Sequence, residues 1–214
     1  NSDSDQYFLS VWGLWVFHVV RGPLAKACDL AERLLTWATP HGNPDLLIRA
    51  HESAGTTYSF LGRLGEAKTH LQAAQALHDP HRHRSQVLPY TQDPGITARI
   101  MLARVFWLLG ELAQVEILLT EAIDMARELE HPFTTAFTLA TASWVYSMLR
   151  DVPTTLRLTE EAIQLSTKYS FEVPLAWATS FQGWALAEQG RENGIERLVE
   201  GLSAAQRAKA SLNH

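Results

Sequence analysis

Five turn positions recur along this chain at an almost constant interval. Gly22, Gly62, Gly110, Arg150 and Gly190 stand 40, 48, 40 and 40 residues apart. Each is flanked by segments whose apolar residues fall at helical spacing. In LARVFWLLGELAQVEILLTEAIDMAREL, for example, Val115, Leu118, Leu119, Ala122, Ile123 and Ala126 form one stripe. No sustained period-two alternation argues for strands. A fixed period of this size means that no unit buries its apolar face alone, so neighbouring units must stack. The expected fold class is all-α, with about five antiparallel helical hairpins over approximately 5–39, 43–79, 93–129, 131–169 and 172–210 of a single domain, 1–214.

The one irregular interval, 48 residues, contains HDPHRHRSQVLPYTQDPG, His78 to Gly95. His78, His81 and His83, with Asp79, offer metal-ligand types. The structural reading accounts for more of the residues. Asp79-Pro80 stops a helix, because proline cannot continue the hydrogen-bond ladder and restricts the residue before it. Asp93-Pro94 starts one, as an N-cap followed by proline in the first turn. The 79–93 stretch is then an inserted loop, with Leu88 and Tyr90 as packing anchors and Arg84 as a partner for Asp79 or Asp93. No metal is expected.

Composition excludes several classes of function. A net charge of −5 gives no basic footprint for nucleic acid or an anionic membrane. The single cysteine, Cys28, allows no intrachain disulfide and points by default to a reducing, cytoplasmic setting. It sits on a helical stripe near Ala25 and Ala31 and is expected to pack rather than react. The longest apolar run, Tyr7–Val20, has 14 residues where a membrane span needs about 20. No phosphate-binding glycine loop, dinucleotide fingerprint or G-x-S-x-G elbow occurs. His51-Glu52 begins like a zinc-protease motif, but Gly55 stands where the second histidine belongs. The expectation is a non-catalytic chain without a cofactor.

Residues 55–80 resemble a tetratricopeptide repeat: Gly55, Tyr58, Gly62, Ala67, Leu71 and Ala74 fall at the motif's spacing, with Pro80 beyond. Repeat three keeps Ala103, Phe106, Gly110 and Ala122, with Val115 at a small-residue position. Repeat four has Ser143, Tyr146 and Ala162, with Arg150 at the turn glycine. Repeat five has Gly183 and Gly190, with Ile195 at the alanine position. The 40-residue period exceeds the usual ~34 and implies longer helices. The resemblance implies a right-handed superhelix.

Four further segments narrow it: GLWVFHVVRGPLAKACDLAERLL, the HRS…Y-x-QDPG stretch, ELEHPFTTAF and GWALAEQG. Together they resemble the C-terminal helical-repeat segment of large bacterial proteins that carry a class III adenylate/guanylate cyclase (or kinase) domain and a central ATPase domain. Similar arrays follow the ATPase modules of LuxR-type transcription regulators. The chain begins at Asn1 and reads as a fragment of such a protein.

The resemblance also implies a binding face, lined by the first helix of each hairpin. Its positions are Trp12, Val16 and Val19; Arg49, Glu52, Thr56 and Ser59; Thr97, Arg104 and Trp107; Phe137, Trp144, Ser147 and Met148; and Trp177, Ser180, Trp184 and Glu188. Tryptophan and arginine are what interface hot spots use. A peptide, protein partner or small effector is expected there, and other domains of the parent chain are expected partners. His83, Arg84 and Tyr90 of the loop are secondary candidates. The first helix, with Leu9, Val11, Trp12, Leu14, Trp15, Val16 and Phe17, is apolar nearly all round, which fits a buried helix or one that supports self-association.

Overall fold

The computed structural model describes residues 2–79 and 92–211, and among these every regular element is helical. The helices are α1 (Ser2–Arg21), α2 (Leu24–His41), α3 (Pro44–Phe60), α4 (Leu64–Leu77), α5 (Pro94–Leu109), α6 (Val115–Glu128), α7 (Pro132–Met148), α8 (Val152–Tyr169), α9 (Glu172–Glu188) and α10 (Asn193–Ser211). A 3-10 turn at Leu112–Gln114 precedes α6. The chain divides into two compact units, one running from α1 to Leu118 and the other from Leu119 onward.

Local chemistry sets the helix starts. Proline occupies the first turn of α3, α5, α7 and α8, where its missing N–H costs nothing. The residue before the helix caps it. Asn43 Oδ1 accepts from the Asp45 amide at 3.1 Å, Asp93 Oδ1 from the Gly95 and Ile96 amides at 2.9 Å each, and Asp151 Oδ1 from the Thr154 amide at 3.1 Å.

The recurring turns share one geometry. Gly62, Gly110 and Gly190 have φ of 75°, 76° and 72°, and the next amide reaches five residues back: Arg63 to Tyr58, Glu111 to Phe106 and Arg191 to Leu186. Arg150 takes the same left-handed conformation, φ 59°, with Asp151 bonded back to Tyr146. The first anchor differs. Gly22 has no positive φ, because Pro23 follows and holds the residue before it in other regions.

Packing follows the expected hairpin pattern within each unit. In the first, α1 packs on α2, α3 on α4, and α3 also touches α2 and α5. In the second, α7 packs on α8, α9 on α10, and α9 also touches α7 and α8. The second helices present small faces: Ala27, Ala31, Leu34 and Ala38 on α2, and Ala67, Leu71 and Ala74 on α4, all buried. Cys28 lies beside the α2 stripe rather than on it and is half-exposed, while Ala25 is exposed. On α8 the buried face carries Thr155 and Thr159, whose hydroxyls are satisfied by the carbonyls of Asp151 and Thr155 one turn back.

Gly55 lies against Leu71, where an added Cβ would sit 2.5 Å from Leu71 Cγ. In the last hairpin the register moves by one residue. Gly194 and Gly201, not Ile195, meet α9: a Cβ on Gly194 would lie 2.3 Å from the Ala187 amide and one on Gly201 2.4 Å from the Ser180 amide. Ile195 is 61% exposed. Its placement at the alanine position is therefore corrected: the residue that meets α9 comes four positions after Gly190, where the buried Ala67 comes five after Gly62.

Candidate functional site

The joint before α5 shows what its histidine does. His78 caps the end of α4, and its Nε2 lies 3.1 Å from Asp93 Oδ1, with both side chains almost fully buried. Its Nδ1 lies 3.2 Å from Arg99 Nη1. The ring packs where a side chain on residue 95 would stand, 2.2 Å from an ideal Cβ, so Gly95 is required there. Burial alone would raise the Asp93 carboxyl. His78 and the two cap amides outweigh it and hold the group below its ordinary value. Asp93 is thus partnered by His78, and the expected pairing of Arg84 with Asp79 or Asp93 falls outside the described residues. Residues 80–91, including His81, His83, Arg84, Leu88 and Tyr90, lie outside the described residues.

In the first unit, α1, α3 and α5 bring several of the expected residues together. Trp12 is half-buried, and the Arg49 guanidinium lies over its ring at 5.1 Å from the centroid. Trp12 Nε1 is shielded from solvent without a hydrogen-bond partner among the described residues. Arg49 makes no hydrogen bond or ion pair there either. Burial lowers its pKa, and the carboxylates of Glu52, Asp93 and Asp45 only partly restore it.

One turn along, Glu52 is 3% exposed. Burial pushes its carboxyl up to about 7, against the Thr56 hydroxyl that donates to Oε1 at 2.9 Å and the attraction of Arg49. Desolvation wins for both members of this pair. Two turns further, Arg104 of α5 donates from Nη1 to Ser59 Oγ at 3.1 Å and lies over Phe60 at 5.1 Å. Its pKa is lowered by burial. Thr97 is buried and donates to the Asp93 carbonyl. Trp107 is half-buried, and its indole makes no ring or hydrogen-bond contact among the described residues. Trp15, close in sequence to Trp12, is a core residue: it is 3% exposed and donates to Thr57 Oγ1 at 2.8 Å.

In the second unit the expected residues form an aromatic row. Phe137 lies 5.4 Å from Trp177, and Phe133 lies 6.1 Å from Phe137 and 5.1 Å from Phe171. Trp144 and Trp184 are half-buried. Ser147 and Ser180 spend their hydroxyls on the carbonyls of Trp144 and Ala176, and Glu188 pairs with Arg150. A cleft of about 620 Å³ between α8, α9 and α10, edged by Ile163, Leu175, Arg197, Glu200 and Arg207, was not anticipated from sequence. It arises from the α9–α10 crossing, which no periodicity marks.

Sequence pattern also missed a contact on the far side of Glu52. His51 of α3 and His70 of α4 meet with their Nδ1 atoms 3.0 Å apart. The two lie 19 residues apart on different helices, so no local spacing signals the pair.

A tetratricopeptide repeat profile matches residues 96–116. No curated protein matches the chain. Among solved structures, a putative kinesin light chain with nearly identical TPR-like repeats from Podospora anserina is 16% identical. Its TM-score is 0.58 over 94% of this chain and 96% of that one. BtubC (BKLC) from P. vanneervenii is also 16% identical, with a TM-score of 0.59 over 99% of this chain and 90% of that one. The fold is a tetratricopeptide-like helical-hairpin repeat. In this repeat the profile falls on α5 and the turn after it, where Arg104 and Trp107 stand. Among the described residues, no three or more His, Cys, Asp or Glu side chains gather to hold a metal ion, and no helix is long and apolar enough to cross a membrane.

Proposed function

We propose that this tetratricopeptide-like chain is a non-catalytic interaction module whose first helices hold a protein or peptide partner. The carrying observation is Arg49. A cation that burial disfavours, stacked on Trp12 and lacking a hydrogen bond among the described residues, has donors left for a ligand. Within the first unit, Arg104, also desolvated, and the half-buried Trp107 add the same chemistry on α5; the second unit by itself offers half-buried Trp144, Trp177 and Trp184 on α7 and α9. The helical-repeat resemblance supports a finer reading, in which the module relays partner binding to cyclase and ATPase domains of a cytoplasmic signalling protein, or to the ATPase of a LuxR-type regulator.

The test is affinity for a peptide selected against the chain. Arg49→Ala, Arg104→Ala and Trp144→Ala should each weaken it by about tenfold or more, as hot-spot truncations do. Undiminished binding in all three removes the first-helix face from consideration.

A second reading, self-association through α1, is favoured by Tyr7, Leu14 and Phe17, which are 47%, 55% and 42% exposed while Phe8, Val11 and Trp15 of the same helix are buried. Light scattering across a concentration series decides it, and a strict monomer refutes it.

A further inference from the structure

We propose that His51 and His70 form a two-histidine site for a divalent transition-metal ion of the copper(II), nickel(II) or zinc(II) class. The site is separate from the partner-binding face and does not depend on it.

Distance is the first argument. The two Nδ1 atoms are 3.0 Å apart. Two imidazole nitrogens bound to one ion at about 2.0–2.1 Å are separated by about 2.9 Å at a right angle and about 3.3 Å at the tetrahedral angle. The apo geometry already lies inside that window. The ring centroids are 5.1 Å apart with planes inclined at 36°, and the same nitrogen of each ring faces the other.

Protonation is the second. Two neutral imidazoles facing through Nδ1 share a single proton, one ring donating and the other accepting. An ion entering between them takes both Nδ1 lone pairs, and the displaced proton passes through solvent to Nε2 of the same ring, which stays a neutral imidazole. No oxidation or reduction is involved. Burial depresses the pKa of both rings; His70 lowers His51 further, while Glu66 raises His70 and Arg63 opposes Glu66. Neutral imidazole is the form that binds metal, and the Nδ1–Nδ1 contact requires that at least one ring present a lone pair there.

The surroundings hold the pair in place without closing it off. The Tyr58 ring meets His70 edge-on at 5.4 Å, and Arg63 lies over Tyr58 at 4.0 Å. Glu66, one turn before His70, is taken up by Arg63, with Nε to Oε2 at 2.7 Å. The protein thus supplies two ligands, and both side chains are partly open to solvent. Water completes the coordination, so affinity is lower than at a four-ligand structural site.

The experiment uses the full chain stripped with chelator and titrated by calorimetry with copper(II) sulfate and with zinc chloride. Copper paramagnetic resonance counts the coordinating nitrogens. One ion per chain is expected, with two histidine nitrogens. His51→Ala and His70→Ala should each weaken binding by at least about tenfold, the scale on which even outer-shell changes act. A His81→Ala/His83→Ala double variant should bind like the original. Circular dichroism checks helicity. Should His70→Ala lose it, His70→Phe keeps a planar ring beside Tyr58 while removing the ligand nitrogen. Binding that survives loss of either His51 or His70, that vanishes in the His81/His83 variant, or that is absent in the original chain overturns the proposal.

Discussion

Replacing Glu52 by glutamine should make this protein more stable, and only above acidic pH. The carboxyl is 3% exposed, and burial raises it from 4.5 to about 7. Each pKa unit corresponds to about 1.4 kcal/mol, so full ionisation inside the fold costs roughly 3 kcal/mol. The sign follows from the raised value. Below the unfolded-state pKa the group is protonated in both states and costs nothing. As pH rises through 4.5 towards 7 and beyond, the unfolded chain ionises first, and stability is lost. Glutamine keeps an acceptor for the Thr56 hydroxyl, now 2.9 Å from Oε1, and never ionises. Urea denaturation of both proteins from pH 4.5 to 8.5 measures the effect. The two should be nearly equal at pH 4.5, and the glutamine variant ahead by roughly 2–3 kcal/mol at pH 8. Other titrating groups are common to both proteins and cancel in the difference. Parallel pH profiles, or a variant that is less stable throughout, would refute the reasoning.

Two other outcomes follow from the packing. Asp93→Ala removes the α5 cap and leaves His78 buried opposite an apolar group, which should cost about 2 kcal/mol or more at pH 7 in the same denaturation assay. Because Asp93 is held below its ordinary 3.8, its contribution is present above that pH and fades as pH falls through the depressed value, so the gap to the parent should narrow in acid. Gly55→Ala forces a methyl against Leu71 between α3 and α4, and overpacking of this kind should lower stability by about 1–3 kcal/mol; an unchanged melting temperature would contradict the close approach.

Much of the fold is legible because it repeats. The 40-residue interval marks turns that need a left-handed residue, and even Arg150 obeys it, since position in the array outweighs the intrinsic preference of the residue. Asp93-Pro94 is legible for the same reason: an N-cap is a local interaction with a local signature. The register of α10 is not, because Gly194 and Ile195 are adjacent and only the contact with Ala187 tells which faces α9. Site residues on one helix, Arg49 and Glu52, could be placed by spacing. The stacking of Arg49 on Trp12, the desolvation of Glu52 and the meeting of His51 with His70 come from helix crossings, which no periodicity encodes.

The proposed partner-binding role of the first helices rests on their desolvated arginines. Its most direct test is the dissociation constant of a display-selected peptide for the parent chain and for Arg49→Ala, with helicity confirmed in both. A loss of about tenfold or more is expected, because a partly buried cation that contributes donors to the ligand is a hot spot. Equal affinity in the two proteins would contradict it.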